Sequence, residues 1–143
     1  MMRIVSFLVA LFISSGAVAQ STSYPAGAIP FTASASGTTA AVTATITAVA
    51  NKTAVICGFY YAGSNATAAQ SGVVTITGIT GGTMSYAFPT LALGATVPNT
   101  VPIDEAFLPC IPATGTNTAI AVAGPALGSG APVATVTVWG YYQ

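Results

Sequence analysis

The ionisable side chains of this sequence are too few and too scattered for acid–base catalysis. The charged residues are Arg3, Lys52, Asp104 and Glu105, and the chain has no histidine. Serine and cysteine nucleophiles need a histidine or a comparable base beside them. Asp104 and Glu105 are adjacent, so in a strand they point to opposite faces and cannot act as paired carboxylates. We therefore expect that the protein is not an enzyme.

The same shortage limits the ligands that the chain can bind. A structural zinc site takes about four ligands, and two distant cysteines do not supply them. One carboxylate with carbonyl oxygens could at most hold calcium, which usually gathers several carboxylates. Contacts with nucleic-acid phosphates need several Lys or Arg on one face, and the chain has 2 such residues. We expect no metal ion, no cofactor and no nucleic-acid partner.

The two cysteines, Cys57 and Cys110, have no Cys-x-x-Cys spacing and no neighbouring base. In an exported protein two cysteines most simply form one disulfide. The alternative is two buried thiols that pack as small apolar groups. We predict the disulfide.

Several aromatic residues could together form a platform on which a sugar ring stacks. They are Tyr60, Tyr61, Tyr86, Trp139, Tyr141 and Tyr142. The alternative is that most of them lie in the core or in an interface, because aromatic side chains dominate buried area. We favour the second interpretation and keep the first as a hypothesis.

Residues 1–19 have the pattern of a secretory signal peptide. Arg3 supplies the positive charge, Ile4–Ile13 is almost wholly apolar, and Ala17–Ala19 fits a small-x-small cleavage site. The apolar run is too short to cross a bilayer core of ~30 Å. Cleavage would leave residues 20–143 as one exported domain with no membrane segment. The alternative is a buried N-terminal helix or an uncleaved anchor.

The sequence pattern after the signal peptide predicts about eight strands. No stretch of this segment has helical periodicity with credible caps. Turn signals recur at roughly the 8–12-residue spacing of β-sandwiches. We predict an all-β, antiparallel β-sandwich of the jelly-roll or immunoglobulin-like kind. The predicted strands are Ala28–Ala35, Thr38–Val49, Thr53–Ala62, Val73–Ile79, Thr83–Phe88, Val101–Leu108, Thr118–Ala123 and Val133–Tyr142.

Proline and glycine predict where some of these strands lie. Pro30 and Pro102 each remove a backbone donor, which confines their strands to sheet edges. Gly81 and Gly82 predict a tight hairpin turn. Asn51-Lys52 predicts a second turn, which would make the strands on either side of it hairpin partners.

The strand Thr53–Ala62 is the densest run of β-branched and aromatic residues, and we predict that it is central. By simple alternation Cys57 and Phe59 share a core-facing side with Val55 and Tyr61. Ile56 and Tyr60 then lie on a second apolar side, which a loop or a neighbouring subunit must cover. We therefore predict an interface, with these candidate residues: Ile56, Tyr60, Trp139 and Tyr141.

The C-terminal part of the chain, Ile103–Tyr142, resembles small Ala/Thr/Gly-rich β-sandwich proteins of phages and prophage-like regions. The matching motifs cover about a third of the chain. They are a Pro-rich strand end at Pro109–Pro112, an Asn-Thr-Ala-Ile strand at Asn117–Ile120, a Pro-Ala-x-Gly turn at Pro125–Gly128 and a final strand ending in Gly140-Tyr141. The resemblance implies a virion-surface or decoration-type structural module without catalytic residues.

Together these observations predict a non-enzymatic structural protein that self-associates or docks on a larger assembly such as a capsid. Only 3% of its residues are charged, and a net charge near zero favours association. The alternative is a secreted bacterial binding module, an adhesin or carbohydrate-binding domain, whose partner is a glycan. Both hypotheses place the protein outside the cytosol, where it would be secreted, periplasmic or on the cell surface, and a phage-encoded protein of the first kind would lie on the virion surface.

Overall fold

The computed structural model describes residues 24–38, 40–64, 70–90, 102–128 and 133–143. The predicted signal peptide, residues 1–19, lies outside these ranges. The described residues form eight strands and no helix, which confirms the predicted all-β class. The strands are β1 (Ile29–Gly37), β2 (Val42–Ile46), β3 (Ala54–Ser64), β4 (Gln70–Thr77), β5 (Met84–Thr90), β6 (Ile103–Pro112), β7 (Ile120–Gly124) and β8 (Val133–Tyr142).

The strands build two antiparallel four-stranded sheets, as expected for a β-sandwich. The first sheet has the order β1-β8-β3-β6 and the second has the order β2-β7-β4-β5. The pairing is nested, because each strand of the first half pairs with its counterpart from the second half: β1 with β8, β2 with β7, β3 with β6 and β4 with β5. The chain thus resembles one long hairpin that is folded over both sheets.

Three position predictions are confirmed. β3 is an inner strand, between β8 and β6, and the two strands predicted from Pro30 and Pro102 are the edges of the first sheet. β4 and β5 pair across the turn that contains Gly81 and Gly82. Both glycines have φ of 96°, a left-handed conformation that glycine adopts without steric cost.

The predicted hairpin between β2 and β3 is wrong. Within the described ranges β2 pairs only with β7 in the second sheet, and β3 pairs with β6 and β8 in the first. Asn51 does form a turn, with φ of 61°, and its backbone N–H donates to Asn117 Oδ1 at 2.8 Å. That turn carries the chain from one sheet to the other, over the connection of residues 47–53.

The core lies between the two sheets, where alternate side chains of each strand meet. β2 and β7 alternate strictly between buried and more exposed residues, because their outer sides carry Thr and Ala. Phe59 of β3 contacts Tyr86 of β5 edge to face, with ring centroids 5.2 Å apart. Tyr61 packs its ring on Phe88, 5.1 Å away. The aromatic residues therefore join the sheets on the side where β3 faces β5.

Tyr61 is the largest fully buried side chain among the described residues. Its hydroxyl donates to the carbonyl oxygen of Pro125 at 3.5 Å. The ring fits because residue 124 is glycine, since a Cβ there would lie 2.3 Å from the Tyr61 ring. Burial raises the pKa of Tyr61 from 10.0 to about 12.

This pKa predicts a loss of stability in alkali. Between pH 10 and about 12 the unfolded chain releases a proton that folded Tyr61 retains, so unfolding becomes more favourable as the pH rises. We expect the contribution of Tyr61 to the free energy of unfolding to be constant below pH 10 and to fall as the pH rises above 10. Urea unfolding on both sides of this pH measures the effect. Tyr61→Phe is the control, and an equally steep fall in that variant would contradict the assignment.

Candidate functional site

A β-bulge in β3 decides which side chains reach the surface of the first sheet. Ile56 lies opposite Gly140 of β8, and Gly58 lies opposite Trp139, the preceding residue. Cys57 is therefore one extra residue in β3 with no counterpart in β8. Such a bulge interrupts the alternation of side chains between the two faces.

The bulge corrects the predicted faces of β3. Ile56 and Phe59 both belong to the core between the sheets, whereas Val55 and Cys57 belong to a smaller cluster on the outer face. The predictions for Phe59, Tyr60 and Tyr61 agree with the structure, but those for Val55, Cys57 and Ile56 are wrong. Because Ile56 is 0% exposed, it cannot contribute to an interface.

The predicted disulfide between Cys57 and Cys110 is confirmed. It joins β3 to its neighbour β6, with the two Cα atoms 4.3 Å apart. β6 is also irregular here, because Ile56 pairs with Ile111 while Gly58 pairs with Ala106. The bridge thus joins the edge strand to the sheet at the point where regular pairing is interrupted.

The small outer cluster has a cover from the same chain. Val55, Cys57 and Tyr141 are buried there, and Tyr24 and Ala28 pack against them. The rings of Tyr24 and Tyr141 are 5.4 Å apart. The second apolar side that the sequence predicts is therefore partly covered by the segment that leads into β1. Tyr141 is only 9% exposed, so it offers little surface to a partner.

Trp139 and Tyr60 remain on the outer face of the first sheet. A Cβ on residue 58 would lie 2.3 Å from Trp139 Cζ2 and 2.4 Å from the carbonyl oxygen of Glu105. The half-buried indole thus lies across Gly58, which must be glycine for the ring to fit. Tyr60, 37% exposed, is opposite Thr137 of β8. Trp139 and Tyr60 are therefore diagonal neighbours across β8 and β3.

Hydroxyl groups surround these two aromatic side chains. Thr32 of β1 is opposite Trp139, and Ser34 is opposite Thr137. The hydroxyls of Ser34 and Thr137 share a hydrogen bond of 3.1 Å. Ser36 and Thr135 form the same contact one step further along, also at 3.1 Å. We call this arrangement the outer aromatic face, defined by Trp139, Tyr60, Thr32, Ser34 and Thr137.

The two acids lie on different sides of β6. Asp104 is opposite Tyr60 on the outer side and is exposed. Glu105 is opposite Phe59 on the inner side and is half-buried. Burial, and then the charge of Glu105, raise the pKa of Tyr86. Within the described ranges no group of three or more His, Cys, Asp or Glu could hold a metal ion.

Comparisons with protein-family models, with curated proteins and with solved structures find no match to this chain. In the part of the chain that the structure describes, no helix is long and apolar enough to cross a membrane.

Of the four candidate interface residues, Trp139 and Tyr60 come together on the outer aromatic face. Ile56 lies in the core and Tyr141 under Tyr24. The hydroxyl row of β1, formed by Thr32, Ser34 and Ser36, was not among the predicted site residues. Its signal is present as a strict alternation with Phe31, Ala33 and Ala35, which is typical of a half-buried strand.

Proposed function

We propose that this protein is a non-enzymatic structural protein that acts by self-association or by docking on a larger assembly. Its closest functional type is a phage virion surface or decoration protein. The observation that carries the proposal is the strand order of the two sheets, β1-β8-β3-β6 and β2-β7-β4-β5. Eight strands paired in this nested way favour the jelly roll over an immunoglobulin-like arrangement. Jelly rolls build viral capsid and lectin domains.

One fold hosts many functions, and the surface of the protein also supports the proposal. The outer side of the second sheet carries only hydroxyl and small apolar groups at its centre, Thr43, Thr45, Ala121, Ala123, Thr75 and Thr77. The whole chain has a formal net charge of zero. Proteins with little net charge associate more readily than charged ones. Assembly is a function that such a surface serves well.

Export to an oxidising compartment fits the same proposal. The disulfide between Cys57 and Cys110 is typical of secreted, periplasmic and surface proteins. Together with the sequence pattern of residues 1–19, it supports a location on the cell surface, in the periplasm or on a virion.

Sedimentation velocity of the purified protein over a range of concentrations tests the proposal, together with immunogold electron microscopy of particles released by the producing cells. We expect either a concentration-dependent assembly or gold particles on released virions. A protein that stays a single chain at every concentration and labels no particle would overturn it.

A second candidate is a secreted binding module that holds a glycan. The favouring observation is that half-buried Trp139 and partly exposed Tyr60 are diagonal neighbours, with Thr32 and Asp104 on the adjoining strands. Aromatic rings stack on the apolar faces of sugars, and the hydroxyl and carboxylate groups around them could bind the sugar hydroxyls.

A glycan array with Trp139→Ala, Tyr60→Ala and Val73→Ala variants separates the two candidates. Val73, 41% exposed, lies on the other sheet and is the control. A binding module should lose its glycan signal in the first two variants and keep it in the third. Tyr141→Ala adds a second comparison, because that side chain packs on Tyr24 and should act through stability alone. Absence of any glycan signal in the wild type would exclude this candidate.

A further inference from the structure

In the part of the chain that the structure describes, the sandwich has four edge strands, and three of them carry features that hinder pairing with another chain. Soluble proteins protect sheet edges by short strands, charges, prolines or bulges. β2 has only 5 residues. β5 contains Pro89. β6 contains both acids, two prolines and the irregular pairing beside Cys110.

The fourth edge, β1, lacks these features over most of its length. It has 9 residues, none of them charged, and its one proline, Pro30, stands at the second position. Its register with β8 runs without a shift from Ile29 to Gly37. Among the described residues, β8 is the only strand that pairs with β1. From Phe31 to Gly37 one side of its backbone therefore has no strand partner among the described residues, and such an edge is a template for another strand.

We infer that the β1 edge pairs with the β1 edge of a second copy of this chain, antiparallel and about a two-fold axis. The inference rests on the proposed self-association and names its interface. A two-fold contact uses the same surface on both subunits. It would join the first sheets of two copies into one continuous sheet of eight strands.

The side chains of β1 suit a second copy better than a charged partner, because β1 has no charged residue. Phe31, Ala33 and Ala35 are half-buried against the core on the inner side. Thr32 and Ser34 are exposed hydroxyls on the outer side. In an antiparallel pair the inner row of one copy meets the inner row of the other, and hydroxyls meet hydroxyls. No charge faces another charge in this arrangement.

Ile29 adds apolar surface to the same edge. It is 52% exposed at the start of β1, and a neighbouring β1 would cover part of it. A charged strand would form no ion pair here, because β1 has no charged side chain.

Light scattering after gel filtration tests the inference with two matched variants, Thr32→Lys and Thr43→Lys. Both replace an exposed threonine of an edge strand by lysine, but only the first lies on β1. Lysine on an edge strand is a natural block to pairing. We expect twice the chain mass for the wild type and for Thr43→Lys, and the mass of one chain for Thr32→Lys.

The other outcomes overturn the inference. If Thr32→Lys keeps the wild-type assembled mass, the copies meet elsewhere, and self-association itself stands. If both variants dissociate, added charge and not the β1 edge is responsible. If the wild type is a single chain throughout, the inference fails and only docking on another assembly remains.

Hydrogen exchange of the wild type keeps the test valid if Thr32→Lys does not fold. In a pair joined through β1, the amides of residues 31–37 are bonded on both sides of the strand. We expect them to exchange as slowly as those of the inner strand β8. Rapid exchange of alternate β1 amides in the assembled species would overturn the inference.

Discussion

Loss of the disulfide between Cys57 and Cys110 is expected to lower the free energy of unfolding by about 4 kcal/mol. The bridge joins residues 53 positions apart, and the entropy that a cross-link removes from the unfolded chain grows with the length of the closed loop. Because a domain of this size is stable by only about 5–15 kcal/mol, reduced protein should unfold at a much lower urea concentration. Urea unfolding followed by far-ultraviolet circular dichroism, with and without a thiol reductant, measures the difference.

The double variant Cys57→Ala, Cys110→Ala is the control for the reductant. It should unfold at the same urea concentration whether or not the reductant is present. It should also be less stable than the reduced wild type, since Cys57 is buried with Val55 and Tyr141 and its truncation leaves a cavity. Equal midpoints for oxidised and reduced wild type would show that the bridge contributes nothing to stability.

The prolines and glycines of this sequence predicted strand positions well because they act locally. Pro30 removes one backbone donor wherever its strand lies, so the edge position of β1 follows from a single residue. Gly81 and Gly82 reach positive φ in any context. The local turn at Asn51 was equally visible, but a turn does not specify which sheet the next strand joins. That choice depends on the partners of β3, which are β6 at Ile103–Pro112 and β8 at Val133–Tyr142, far along the chain.

The outer aromatic face was only partly predictable for the same reason. Trp139 and Tyr60 were among the candidate residues because they are aromatic. Their proximity depends on the register of β3 with β8, which shifts by one residue at Cys57. The missing side chain of Gly58 makes room for the indole, and a glycine within a strand is the one local sign of a close contact or bulge that the sequence carries.

The faces of β3 could not be predicted from alternation because neither face is polar. In β1 the Thr and Ser residues mark the outer side, and a shift of register would bury them. In β3 both Ile56 and Val55 are apolar, so the sequence alone is compatible with either face of the strand pointing toward the core. The bulge settles the choice, and with it the location of every residue from Ala54 to Cys57.

The bulge makes a sharp prediction for two residues that simple alternation treats alike. Ile56→Ala should lower the free energy of unfolding by about 2–5 kcal/mol, the usual cost of truncating a buried isoleucine. Tyr60→Ala should lower it by less than about 1 kcal/mol, because its side chain lies on the outer face and packs mainly against cross-strand neighbours. Urea unfolding of both variants measures the two values.

Ile46→Ala gives the reference for this comparison, since Ile46 of β2 is a core residue in the second sheet. Its loss should match that of Ile56→Ala. In a β3 without the bulge, Ile56 and Tyr60 would share the outer face, and both substitutions would fall well short of this reference. Similar small losses for Ile56→Ala and Tyr60→Ala would therefore contradict the bulge at Cys57 and return Ile56 to the outer surface. A large loss for Ile56→Ala alone would agree with Ile56 in the core and Tyr60 on the outer face.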